Sequence, residues 1–316
     1  MKKIRYIPRG GALVSITAKT FQSRHLLRPS TEAKDVTIGV LARSARRTGV
    51  RICAVAVLSN HVHLLIWVED AAKMAEFMRY FKTNVAREVN RLVDWSGSLW
   101  ENKPYDDTLV SDEETAQVDR LAYVLSQSVK ENLVERAVEW PGVHCAAAFA
   151  TGRSLKGYWI DRTGYTRARQ RGEDVAIDDF TEPEELELWP IPCWEHLSEE
   201  DYRAAVVTML TKVETDAAAL RGEDGVLGVE AILAQDPHAR PEDVENTPPP
   251  AVHAATREVR EAMKQTYRLF VMAYRVAAKR LREGLHPVDF PPGCFPPGLP
   301  FVPFPDTDRA GPASAG

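Results

Sequence analysis

The stretch Arg51 to Val68, "RICAVAVLSNHVHLLIWV", constrains the fold more than any other part of the chain. Two apolar runs rich in β-branched residues flank Ser59-Asn60, a tight-turn pair, so the segment reads as a buried hairpin with strands Arg51–Leu58 and His61–Val68. Successive side chains on a strand alternate faces, which puts His61 and His63 on one face with Cα atoms about 7 Å apart. Two imidazoles so placed can converge on one metal ion, or they can form a polar stripe of hydrogen-bonding groups; the surrounding elements decide between these.

Those elements are strongly patterned. Ala12–Thr17 reads as a first strand, Ser30–Thr48 as a helix, Ala71–Val93 as a long helix and Tyr105–Val110 as a short strand. Asp112–Val138 then reads as one helix, with Ser111 and Glu114 as a capping box, acidic residues in the first turn and Pro141 beyond its end. The resulting β-α-β-β-α-β order predicts an α+β, ferredoxin-like sandwich. On the last helix Val118, Leu121, Ala122, Leu125 and Val129 form one apolar stripe, and Tyr123 points roughly 130° from its centre. Tyr123 is therefore not a core residue of its own helix. Gln127 lies one turn later on the same side, with Lys130 close by.

Asn-His-Val-His-Leu-Leu on a strand, Leu99-Trp100-Glu101 after a long helix, and Tyr-x-x-x-Gln on a further helix together resemble the HUH single-tyrosine transposases of bacterial insertion sequences. The likeness spans about residues 1 to 150, and the basic opening "RYIPRGGALVSITAKTFQSRHLLRP" resembles the REP-associated branch. That branch usually carries Asn-Pro where this chain has Gln127-Ser128, so the glutamine matches the mobile insertion-sequence branch instead. The resemblance implies an HUH nuclease core in which Tyr123 attacks a phosphodiester and forms a 5′-phosphotyrosine. It also implies that His61, His63 and Gln127 hold one divalent ion, Mg²⁺ or Mn²⁺, imidazole suiting Mn²⁺ at least as well. Glu101 and Asp119 are alternative oxygen ligands or orienters of the imidazoles, unless they are solvated surface groups. The implied partner is single-stranded DNA bearing a hairpin or palindromic element. A domesticated, non-cleaving DNA-binding protein on the same scaffold is the alternative, and a metal phosphoesterase using water a third.

Composition frames this reading. At 316 residues with 44% apolar content the prior is about two domains. The absence of a twenty-residue apolar run or an apolar leader after Met1-Lys2-Lys3 predicts a cytoplasmic, nucleoid-associated protein with no membrane contact. Cys53, Cys145, Cys193 and Cys294 are too dispersed for a zinc knuckle or a disulfide framework. Residues 1–170 carry 26 Lys and Arg against 18 Asp and Glu, a net of +8, leaving −13 for residues 171–316 out of the overall −5. Only the first half has the charge of a nucleic-acid binder.

The domain division that follows is a catalytic domain at 1–150, a basic and aromatic linker at 151–175, an acidic helical region at 176–286 and a Pro-rich extended tail at 287–316. Candidate DNA contacts are Arg5, Arg9 and Lys130 in the first part. Lys156, Trp159, Arg162 and Arg167 join them from the linker, where cations interleave with aromatics as a single strand would require. The acidic half is expected either to fold back over the basic face as a DNA mimic or to stand clear of it. The residues do not distinguish a monomer from a homodimer.

Overall fold

The computed structural model describes residues 4–102, 105–241, 249–285 and 287–297. Its centre is the expected hairpin. β1 (Ala12–Lys19), α1 (Thr31–Thr48), β2 (Arg51–Val57), β3 (His61–Val68), α2 (Ala71–Leu92) and β4 (Asp106–Val110) follow in the order read from the sequence. The four strands lie in the order β2-β3-β1-β4, and every pairing among them is antiparallel. This is the ferredoxin-like arrangement, in which each helix crosses over between two parallel strands with a third inserted between them.

Local chemistry sets the boundaries. Ser30 caps α1 by accepting the Ala33 N–H, and Asp70 caps α2 by accepting the Lys73 N–H at 2.7 Å. Gly49 ends α1 in the left-handed conformation, with φ of 70°. The turn at Ser59-Asn60 closes with the Leu58 N–H donating to the His61 carbonyl at 2.8 Å. Val62 to Ile66 are buried without a break, so both faces of β3 are covered.

The helix expected over Asp112–Val138 is shorter than its apolar pattern. α3 spans Glu114–Leu125, Ser126 breaks it, and α4 is a single turn at Gln127–Lys130. The predicted capping box does not form: Ser111 donates to the Glu113 carboxylate at 2.7 Å, and Glu113 stands at the N-cap position. The buried side of α3 is Ala116, Gln117, Leu121, Val124 and Leu125, packed on β2 and β3. Period alone cannot see the break, because Val129 falls back into the core after the turn.

The largest correction concerns residues 151–175. After α5 (Ala146–Thr151), the supposed linker forms β5 (Leu155–Ile160) and α6 (Arg162–Gln170), and β5 pairs antiparallel with β6 (Thr181–Leu186) in a second sheet. That sheet lies on α1 so closely that a Cβ on Gly39 would overlap the Tyr158 carbonyl and one on Gly157 the Asp35 carbonyl; glycine is required on both sides of the contact.

The acidic region is also not a separate helical module. It contains β6, α7 (Glu199–Arg221), α8 (Val229–Leu233), the two-residue strand β7 (Val252–His253) and α9 (Arg257–Arg282). β7 adds to the first sheet beside β4, and it does so in parallel. Of the Pro-rich stretch, residues 287–297 pack back: the Ile7 N–H donates to the Gly293 carbonyl at 2.9 Å, and Phe290 meets Tyr274 edge-on. Residues 298–316 lie outside the described part. No helix among the described residues is long and apolar enough to cross a membrane.

Candidate active site

β3 sets the two histidines. In its register with β1, His61 lies opposite Lys19 and His63 opposite Thr17, and the two rings meet edge-on with centroids 4.7 Å apart. His63 is buried, at 4% exposure. Each imidazole has its Nδ1 engaged: that of His61 with Asn60 Oδ1 at 2.6 Å, and that of His63 with Thr17 Oγ1 at 3.1 Å. Burial pushes the pKa of His61 down to about 4, helped by the charges of Lys19 and Lys130. Burial, then neighbouring His61, Lys130, Lys19 and Arg120, holds that of His63 well below the usual value. Both rings are neutral at neutral pH.

Tyr123 reaches this pair from the other side. Its ring stands perpendicular to that of His63 with centroids 5.3 Å apart, and it is half-buried between strand and solvent. α3 delivers it there because Leu121, Val124 and Leu125 seal the helix against the sheet and turn position 123 sideways. Two cations lie over its ring, the Lys130 Nζ at 4.5 Å and the Arg120 guanidinium carbon at 5.2 Å from the centroid. Gln127 is buried, and its amide nitrogen donates to the Tyr123 carbonyl across the break between α3 and α4. Lys130, Tyr123, His63 and His61 thus form one continuous set of contacts, to which Gln127 is tied through the backbone of Tyr123.

The donor chemistry fits a divalent ion. Asn60 Oδ1 only accepts, so His61 Nδ1 carries the proton and Nε2 the lone pair; with Thr17 Oγ1 as acceptor His63 would offer its Nε2 likewise, the arrangement that orients metal-binding histidines elsewhere. Gln127 has its amide oxygen left to give, since its nitrogen is bound. Among the described residues no group of three or more His, Cys, Asp and Glu could hold a metal, so an ion held by the histidines would need an amide oxygen or the substrate itself to complete its set. Glu101 and Asp119, the alternative ligands, join the histidines in no such group: the Glu101 charge acts on Lys82, and the Asp119 Oδ2 faces His253 Nε2 at 3.9 Å.

The other predicted DNA contacts separate into committed and open side chains. Arg5 stacks on the Tyr105 ring at 3.8 Å and sits 3.5 Å from Asp107, so it fastens the chain's start to β4. Arg162 grips the Glu88 carboxylate of α2 with Nε at 3.0 Å and Nη2 at 2.5 Å, and Trp159 is held between Tyr80 and Arg43. Arg9, Lys156 and Arg167 are exposed. Arg9 precedes the end of β1 that pairs with Val68, some eight residues of strand from His61, about 25 Å.

Arg120, Lys19 and His253 border the site without having been anticipated. Arg120, three residues before Tyr123, shares its side of the helix and was findable by spacing. Lys19 needed the strand register, and His253 the placement of β7.

Parts of the chain are similar to known proteins. Residues 21–126 match the model of the family described as Transposase IS200 like. Two solved structures are similar to parts of the chain. One is a protein of Deinococcus radiodurans R1 assigned as a transposase, 25% identical over 38% of this chain and 94% of its own, with a TM-score of 0.28. The other is a REP-associated tyrosine transposase bound to a REP hairpin, 16% identical over 48% of this chain and 86% of its own, with a TM-score of 0.36. No curated protein matches the chain. The matched stretch, residues 21–126, is about a third of the chain and carries both strand histidines and Tyr123.

Proposed function

We propose that the protein cuts and rejoins hairpin-bearing single-stranded DNA by transesterification at Tyr123. The observation that carries this reading is the perpendicular contact of Tyr123 with His63, 5.3 Å between centroids, because it sets a phenol from one element against a neutral imidazole pair from another.

Cleavage requires the Tyr123 Oη to attack phosphorus as the P–O3′ bond breaks. The phenol proton leaves to solvent, the departing 3′ oxygen takes one up, and the DNA keeps a 5′-phosphotyrosine and a 3′-OH. A second 3′-OH reverses the step and restores a phosphodiester, so ester bonds are conserved and no nucleotide is consumed. His61 and His63 through Nε2, and Gln127 through its amide oxygen, would hold Mg²⁺ or Mn²⁺. Such an ion supplies positive charge at the phosphate when bound. Lys130 lies where it can take up charge on the reacting oxygens, and Lys19 borders the same face. The exposed Arg9, Lys156 and Arg167 are the cations left for the DNA backbone beyond the site. The hairpin as substrate rests on the likeness of the Asn-His-Val-His and Tyr-x-x-x-Gln motifs.

The test is incubation with labelled hairpin oligonucleotides and Mn²⁺ or Mg²⁺, followed by denaturing gels. A covalent adduct that disappears in Tyr123→Phe is expected. An adduct that survives in that variant reassigns the nucleophile, and tight binding with no adduct in the wild type makes the protein a non-cleaving DNA binder.

A further inference from the structure

We infer that the C-terminal part of the chain completes the surroundings of the nucleophile: His253 on β7 holds Arg120 against Tyr123, where the guanidinium would take an oxygen of the phosphate being cut. This rests on the strand-transfer reading for the identity of the ligand, and on geometry alone for the pairing.

β7 is fixed from both ends. The Leu109 N–H donates to the Ala251 carbonyl at 3.0 Å and the Ser111 N–H to the His253 carbonyl at 2.9 Å. Just beyond, the Glu113 carboxylate accepts from the N–H groups of Ala255 and Thr256 and from the Thr256 hydroxyl, at 2.8, 3.1 and 2.7 Å. A two-residue strand so clamped places its side chains firmly, and His253 lies beside α3.

Arg120 Nη2 is 3.1 Å from His253 Nδ1. A guanidinium only donates, so Nδ1 must carry the lone pair and His253 is the neutral Nε2–H tautomer. The contact fixes the Arg120 side chain without itself cancelling its charge, because the ring is neutral. Asp119, the preceding residue, acts on Arg120 electrostatically while its own Oδ2 lies 3.9 Å from His253 Nε2, and Arg120 Nε is buried without a hydrogen-bond partner among the described residues. A buried guanidinium N–H with no acceptor is costly unless a ligand supplies one. The same guanidinium carbon lies 5.2 Å from the Tyr123 ring centroid. Arginine matches the oxygen geometry of a phosphate, and the phosphate attacked by Tyr123 must come to this position. Arg120 is thus the candidate catalytic residue and His253 its positioning residue.

Two measurements test the pairing. In single-turnover adduct formation, Arg120→Ala should slow cleavage roughly 10²- to 10³-fold and His253→Ala roughly ten- to a hundred-fold, with His253→Asn recovering most of the loss. Because His253 acts through Arg120, its effect should vanish in the Arg120→Ala background. Additive losses, or a His253→Ala enzyme at the wild-type rate, overturn the proposal. Independently of activity, ¹⁵N NMR of the full-length wild-type protein should show His253 as the Nε2–H tautomer, shifting in Arg120→Ala; an Nδ1–H tautomer overturns the pairing. If the wild type forms no adduct, the strand-transfer reading falls, while the NMR result still decides the arginine-histidine contact.

Discussion

The histidine-tyrosine site and the β5–α6 arm are built from the same residue types and use them to opposite ends. In the arm, cations meet carboxylates and aromatics meet one another: Arg162 on Glu88, Arg43 and Arg46 on Glu184, and Trp159 between Tyr80 and Arg43. Glu184 is buried, at 5% exposure, and receives hydrogen bonds from both arginines, so this sheet is held to α1 by a closed ionic network. At the site, Lys130 and Arg120 lie over an aromatic ring, and the Arg120 guanidinium meets a neutral histidine. Basic residues among aromatics carry no functional meaning until their partners are known. Charge paired in the interior holds structure together; charge whose nearest carboxylate is exposed, as Glu131 is for Lys130 at 3.6 Å and Asp119 is for Arg120, stays available for a phosphate beside a reactive hydroxyl.

The sharpest way to break that contrast is to remove one member from each region. His63→Ala should reduce adduct formation by about three orders of magnitude or more, since phosphate activation is lost. Hairpin affinity, which rests on cations, should stay close to wild type. Single-turnover cleavage and filter binding read the two effects apart. A His63→Ala protein that cleaves normally in metal-limited buffer would make the imidazole pair structural and the two regions alike.

Glu88→Gln makes the complementary cut. Breaking a buried ion pair leaves Arg162 without its counter-charge, and a loss of about 2–3 kcal/mol is expected, below the value for a fully buried pair because the Arg162 side chain is 23% exposed. Chemical denaturation should show this loss with the cleavage rate of the remaining folded protein unchanged. The opposite pattern, intact stability with impaired DNA binding, would return the arm to the role its composition suggests.

The contrast also marks what the sequence could say. Strand and helix order, the hairpin turn at Ser59-Asn60 and the shared face of His61 and His63 were legible from local period and spacing, whereas the meeting of Tyr123 with them was implied by the resemblance. Gln117 shows what was not: it sits in the apolar face of α3, buried, with its amide oxygen accepting the Cys193 N–H from a segment 76 residues away. Arg162 and Glu88 lie 74 residues apart and Arg120 and His253 are separated by 133, so only tertiary structure can say which cation is neutralised. For the same reason the acidic half could not be seen to give up β6 and β7 to the body of the protein. Removing residues 176–316 would strip β5 of its partner and β4 of its outer neighbour, so insolubility or weaker binding is expected rather than release of a masked surface.

Acid should separate the regions more gently. Burial lowers His144, as it does His61, to a pKa of about 4. Unfolded, each would bind a proton as pH falls through about 6.5. Between 6.5 and 4 the unfolded chain therefore holds more protons, and stability falls as pH falls, by up to about 1.4 kcal/mol per pH unit for each such histidine. His144 accepts the Ala146 N–H at 3.0 Å and makes no hydrogen bond or ring contact with the metal-binding candidates, so His144→Gln should flatten the pH dependence of thermal unfolding by about one proton. An unchanged slope would mean that His144 is not held neutral.

The smallest expected effect concerns the charges the arm leaves open. Lys156 and Arg167 are exposed, and neither joins the network around Glu184 and Glu88, so they are free to meet phosphates of a strand running past the site. Contact with single-stranded DNA releases counterions, and each phosphate contact steepens the fall of log affinity with log salt by about 0.7. Replacing both with glutamine should weaken hairpin binding roughly two- to five-fold at moderate salt and lower the slope by about 1.4, with no change in cleavage once the complex is saturated. Titration at several salt concentrations reads slope and affinity together. A slope unchanged in the double variant would confine the DNA to the face of β3 and α3, and the arm would then have no open charges engaged at all. A drop in cleavage at saturation would instead show that the strand is threaded through the arm into the site, and that the two regions act on one substrate.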